Sequence, residues 1–155
     1  MKRGTRYQGA IIRDHHILLL KQMDHASGRS YWLIPGGGIE PNETEEHCVQ
    51  REMLEETCLH VDVKYLILDE PSNADSIYQR HKTYLCHSRD GEAHPGYEPE
   101  VEWAPDFSFT EVGWFDLRDP TTWNGLIAAD PITYPLLQRI QAALGYTVAK
   151  GDSLA

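Results

Sequence analysis

Basic residues are in short supply in this chain of 155 residues: Lys and Arg number 14 against 24 Asp and Glu, for a formal net charge of −10. That balance argues against a nonspecific binder of nucleic acid, which needs a broad basic surface to displace counterions. It leaves room for a small phosphorylated substrate, because a metal ion and a few arginines can reverse the field locally. Long apolar runs are missing as well. The longest near the start is Ile17-Leu18-Leu19-Leu20, far short of the roughly 20 residues a membrane span needs. Lys2 and Arg3 resemble the basic start of a signal peptide, yet Arg13, Asp14, His15 and His16 break up any hydrophobic region behind them, so export is not expected. Cysteine is scarce: Cys48, Cys58 and Cys86 are odd in number and show no C-x-x-C spacing. On a continuous helix Cys48 and Cys58 would stand about 15 Å apart, too far for a disulfide. Reduced thiols in a cytoplasmic protein are the expectation, and a structural zinc site is not. Repeats, low-complexity stretches and long linkers are also lacking, and the apolar fraction of 41% is ordinary for a folded domain. One domain over residues 1–149 is expected, with 150–155 as a frayed tail.

What is present alternates strands with two helices. Residues 7–12 and 17–23 read as a hairpin around the polar turn at 13–16. Polar residues 24–30 form a loop, and Tyr31-Trp32-Leu33-Ile34 a short strand halted by Pro35 and the triple glycine Gly36-Gly37-Gly38. A helix follows, with Asn42 as the expected N-cap and Glu45 three residues on to complete a capping box. Glu43, Glu45 and Glu46 suit the positive end of its dipole. Val49, Met53 and Leu54, with Cys48 beside them, supply the apolar stripe, and the helix should end near Thr57. Residues 61–68 and 78–88 read as strands, 89–105 as a long surface loop, and 111–117 as a further strand. Pro135 sits in the first turn of a second helix whose Leu136, Leu137, Ile140 and Leu144 share one face before Gly145. Strands mixed with two helices give an α+β or α/β sandwich.

The first helix carries the chemistry. Glu52, Glu55 and Glu56 stand at i, i+3 and i+4, on a single arc at about 100° per residue. Like charges so placed cost roughly 0.2–0.5 kcal/mol per pair, a cost that a bound cation removes. Hard oxygen donors of this kind suit Mg2+ or Mn2+, ions that keep waters and engage substrate phosphates. A solvated acidic face would read the same way from three glutamates alone. The glycine-rich turn before the helix shifts the balance, because it lets backbone approach a ligand closely, and Arg51 is within reach of Glu55 at i+4.

At this point residues 37–59 resemble the signature of the Nudix hydrolases, Gly-x5-Glu-x7-Arg-Glu-U-x-Glu-Glu-x-Gly-U, where U is a bulky aliphatic residue. Gly37, Glu43, Arg51, Glu52, Met53, Glu55, Glu56 and Leu59 fill eight of its nine specified positions. The ninth, a glycine, is Cys58 here; if the left-handed conformation usual after a helix is kept, cysteine costs about 1 kcal/mol there. The resemblance implies an α/β/α sandwich around a mixed sheet, with the box as a loop–helix–loop beside it. It implies that Glu52, Glu55 and Glu56, joined by the carbonyl of Gly36, bind Mg2+ (or Mn2+). It also implies that Gly37, Glu43 and Arg51 hold the box together, the last two as an ion pair. The base that activates water varies in such enzymes: it is a box glutamate (Glu52, Glu55 or Glu56) or one from a distant loop, and Glu98, Glu100 and Glu102 sit in the long loop, with Glu100 and Glu102 favoured there.

The implied activity is metal-dependent hydrolysis of a diphosphate bond in a nucleotide or nucleotide sugar, a small-molecule substrate with no nucleic acid or membrane partner. A homodimer is common among such relatives, though no self-complementary patch is legible. Trp32, Tyr7, Tyr31 and Tyr78 are the aromatic candidates for base stacking, and Arg13, Lys21, Arg29, Arg80 and Lys82 the candidates for phosphate. Three other functions compete: a non-catalytic Nudix-like nucleotide sensor, a diphosphate isomerase on a related fold, and a metal-independent interaction domain. Retention of all three box glutamates weighs against the first, and no dedicated acid–base pair is legible for the second.

Overall fold

The computed structural model describes residues 3–89, 91–96 and 106–146. Its first two strands, β1 (Arg3–Arg13) and β2 (His16–Asp24), meet at Arg13↔His16. Asp14 and His15 between them both have positive φ, 50° and 65°, the handedness that lets a two-residue turn follow the twist of its strands. A short β3 (Ser30–Leu33) pairs with β2, and Gly36–Gly37 forms a two-residue strand, β4, antiparallel to β1. The glycines therefore do more than halt a strand.

Helix α1 runs Glu45–Thr57. Its N-cap is Thr44, not Asn42: the Thr44 hydroxyl accepts from the His47 amide at 3.1 Å. Asn42 instead takes φ +67° in the preceding turn, a conformation asparagine tolerates better than most side chains. Glu43 also falls ahead of the helix, and its carboxylate accepts from the Glu40 amide at 2.9 Å.

Two long strands follow, β5 (Val61–Pro71) and β6 (Tyr78–Ser88), paired antiparallel, and β6 runs parallel to β1. The last strand, β7 (Phe107–Asp116), starts earlier than expected and pairs with β2. A 3-10 turn at Pro120–Thr122 and a one-turn helix α2 (Gly125–Ala128) were not legible, being too short to show periodicity. Helix α3 spans Thr133–Leu144 and ends on Gly145 at φ +80°, as expected of a glycine C-cap. The mixed sheet has the order β3-β2-β1-β6-β5, with β4 on β1 and β7 on β2.

Alternation along the strands divides the core in two. Ile11, Leu18, Tyr84 and Cys86 face Cys48, Val49 and Met53 of α1. Ala10, Ile17, Leu19 and Trp32 face Ile127 of α2 and Leu136, Leu137 and Ile140 of α3. The result is an α/β/α sandwich. Each fully buried Val, Leu, Ile or Met contributes about 1.5–3 kcal/mol, so Val49 and Met53 hold α1 on the sheet, whereas Leu54, expected in the same stripe, is 41% exposed. Two buried bonds fix the other layer: Thr133 donates to the Trp32 carbonyl, and the Gln141 amide to the Leu117 carbonyl, each at 2.8 Å. All three cysteines are free thiols, Cys48 and Cys86 buried and Cys58 exposed. No helix among the described residues is long and apolar enough to cross a membrane.

Candidate functional site

Packing α1 against β4 puts the acidic arc inside the protein. Glu52 and Glu56 are 0% and 1% exposed, which excludes a solvated acidic face. The glycines make this arrangement sterically feasible. A Cβ added at Gly37 would collide with both carboxylate oxygens of Glu52, so that carboxylate occupies the space a side chain would fill. The Gly36 amide donates to Glu56 Oε1 at 3.1 Å.

Arg51 is the hub. Its guanidinium grips Glu43 with two bonds, Nε to Oε2 at 2.7 Å and Nη2 to Oε1 at 2.9 Å. Nη1 donates to Glu52 at 3.0 Å and to Glu55 at 3.2 Å. Nη2 also reaches the Gly38 carbonyl at 3.0 Å, and Glu40 lies 3.6 Å from Nε. The forked, planar donor set of arginine is what allows several acceptors to share one cation. The Glu43 hydrogen bond raises the Arg51 pKa most, against the opposing effect of burial, while Arg51 holds the Glu43 carboxyl below its ordinary value. Glu55 behaves differently. Burial pushes its pKa up, outweighing the pull of Arg51.

Four carboxylates within 4 Å of one guanidinium leave a surplus of negative charge. A divalent cation would neutralise it, and the available donors are hard oxygens of the kind Mg2+ and Mn2+ prefer. In donor type and charge the residues fit such an ion. Among the described residues, however, no three Asp, Glu, His or Cys side chains are gathered as a metal-holding group. The geometry explains this: Glu52 and Glu55 turn towards Arg51, while Glu56 turns towards Gly36.

Other expectations resolve unevenly. Glu98, Glu100 and Glu102 lie outside the described residues. Trp32 is buried edge-on to Phe115, and Tyr7 belongs to the core under α1. Half-buried Tyr31 accepts from Gln22 at 2.8 Å. Tyr78 is buried, with its hydroxyl beside Gly38. Lys21 pairs with Glu111, Arg80 with Asp69 and Lys82 with Glu45. Arg13 lies over Trp114 and donates to Ser88. These cations have structural duties, whereas Arg29 is exposed. Reading the sequence missed the roles of Glu40 and Gly38 around Arg51. It also missed Gly96, whose amide donates to the Glu56 carbonyl at 2.8 Å. No local pattern announces a contact between residues so far apart in sequence.

Comparison with known proteins agrees with this architecture. No curated relative matches the sequence. Among solved structures, the chain is similar to a MutT NUDIX hydrolase from Burkholderia pseudomallei, with 26% identity and a TM-score of 0.62 over 90% of this chain and 99% of that one. It is also similar to a NUDIX hydrolase from Nitrosomonas europaea, with 15% identity and a TM-score of 0.68 over 99% and 98% of the two chains. An ADP-ribose pyrophosphatase from Streptococcus suis matches at 19% identity and a TM-score of 0.62, over 90% of each chain. Likeness at 15% and 19% identity shows the fold alone. The model of the NUDIX domain, in contrast, matches residues 5–138, so the chain belongs to the NUDIX domain family and is a hydrolase of pyrophosphate bonds.

Proposed function

We propose that this protein hydrolyses the diphosphate bond of a nucleotide or nucleotide sugar in a reaction that depends on Mg2+, with Mn2+ as the alternative ion. The observation that carries this reading is the burial of Glu52 and Glu56 against a glycine strand, Glu52 being one of four carboxylates that share a single guanidinium. Burying more carboxylate charge than nearby cations balance is costly, and a cation-binding role accounts for that excess. Glu52, Glu55 and Glu56, with the Gly36 carbonyl, would hold the ion. When bound it would polarise the phosphoryl group and lower the pKa of attacking water.

The chain supplies the remaining parts. Arg51 and Glu43 hold the loop before α1 against the helix, keeping Gly36 and Gly37 beside the carboxylates. Proton removal from water is assigned to a carboxylate. The candidates are the box glutamates Glu52, Glu55 and Glu56 and, in the loop, Glu100 and Glu102 ahead of Glu98, all three of which follow Gly96 closely in the chain. One domain spanning residues 1–149 is enough for these roles, and a cytoplasmic location suits the unpaired thiols.

A screen of ADP-ribose, nucleoside triphosphates, dinucleoside polyphosphates and UDP-sugars with Mg2+, read as released phosphate or nucleoside monophosphate, tests the proposal. Turnover on at least one class is expected. Glu56→Gln should reduce it at least about 100-fold, the scale on which a lost electrostatic contact to the transition state acts. Equal turnover by wild type and Glu56→Gln would refute the assignment. Nucleotide binding without turnover would identify a sensor module instead.

A further inference from the structure

We infer that Gly96 is a positioning residue for Glu55 and Glu56, seating residues 94–96 as a clamp on the last turn of α1. This rests on the reading of those two carboxylates as metal ligands.

The last four carbonyls of a helix have no partner within it. On α1 the Cys58 amide takes the Leu54 carbonyl at 3.0 Å, from a left-handed cap at φ +66°. That conformation is strained for a non-glycine residue. The next carbonyls are met from elsewhere in the chain. Gly96 donates its amide to Glu56 O at 2.8 Å, and His94 donates to Thr57 O at 3.0 Å. A Cβ at Gly96 would strike the Glu55 carbonyl oxygen, with Glu55 C at 2.8 Å and Glu56 C at 3.0 Å. Every one of those atoms is backbone, so none can rotate away. The absent side chain is therefore what permits this contact.

The segment is anchored from its other side too. Ala93 is buried in the core cluster beneath α1, and Arg13 Nη2 donates to the Gly91 carbonyl at 3.1 Å. Pushed from Gly96, the strand-anchored segment and the helix turn have to separate, and the turn that moves is the one carrying Glu55 and Glu56. A displacement of about 1 Å at a reacting centre can cost about 100-fold in rate.

Linkage gives a second, independent consequence. If docking of residues 94–96 favours the arrangement that binds the ion, ion binding favours docking by the same factor.

The test compares wild type, Gly96→Ala and Gly125→Ala; a Cβ at Gly125 meets nothing within 4 Å. Mn2+ affinity is read by electron paramagnetic resonance on the folded protein, alongside kcat and KM. Gly96→Ala should weaken Mn2+ binding about tenfold and lower kcat about 100-fold with KM nearly unchanged, while Gly125→Ala matches wild type. A folded Gly96→Ala protein with wild-type Mn2+ affinity and kcat overturns the inference. Should Gly96→Ala fail to fold, amide hydrogen exchange of wild type decides. Saturating Mg2+ should slow exchange at His94 and Gly96 about tenfold, and unchanged rates there overturn the inference. If wild type neither binds Mn2+ nor turns over substrate, the functional reading fails first, a result distinct from normal wild type with an indifferent Gly96→Ala.

Discussion

The two ends of α1 are built on opposite plans. At the N-terminus the backbone is capped by its own neighbour: Thr44 caps the His47 amide, and Glu45 and Glu46 occupy the first turn, where acids complement the dipole. At the C-terminus there is no basic residue in the last turn, and the cap is a strained, exposed cysteine. That end depends on residues 94 and 96, which arrive after two strands. The difference teaches where precision comes from. At the end that starts the helix the backbone is capped locally, with the Glu45 side chain also tied to Lys82 and Tyr84 of β6; at the end bearing Glu55 and Glu56 the backbone carbonyls themselves are met by tertiary contact.

Arg51, which ties the turn before the helix to the acidic face, offers the largest way to break this arrangement. Arg51→Met should destabilise the fold by about 3 kcal/mol, because Glu52 and Glu43 lose their compensating charge, and urea unfolding at neutral pH measures it. The same variant should alter the acid limb of stability. Arg51 lowers the folded pKa of Glu43, so the pair's contribution is complete above the unfolded value of about 4.3. It is lost as pH falls through the lower folded value. Wild type should therefore lose more stability than Arg51→Met on acidification through that window; parallel losses would show that the Glu43 pair contributes little.

Smaller effects separate the two ends. Thr44→Ala should cost about 1 kcal/mol and leave Mn2+ affinity nearly intact, since the first turn lies away from the carboxylates. Cys58→Gly should stabilise by about 0.5 to 1 kcal/mol, relief of left-handed strain outweighing the entropy of a freer unfolded chain; thermal unfolding distinguishes that gain from a loss. Were Thr44→Ala to weaken Mn2+ as strongly as Gly96→Ala, the contrast between the ends would disappear.

Much of this was legible in the sequence because it follows from short-range rules. The spacing of Glu52, Glu55 and Glu56 needs only the helical period, and Gly145 as a cap needs only its freedom at positive φ. Asn42 misled because good cap residues are also good turn residues; Thr44, two positions later, took the cap. Helix α2 escaped because one turn is too short for a periodic signal.

By itself the sequence determined the helix, its acidic arc, the arginine that could reach it, and the glycines ahead of it. These are consequences of residue type and spacing within a few turns of chain. Only the tertiary structure decided that Glu52 and Glu56 are buried, that the Glu52 carboxylate fills the space a Gly37 side chain would take, and that Gly96 closes on the backbone of Glu55. Burial and backbone approach depend on which distant segments the sheet order brings together, and no local pattern encodes that distance.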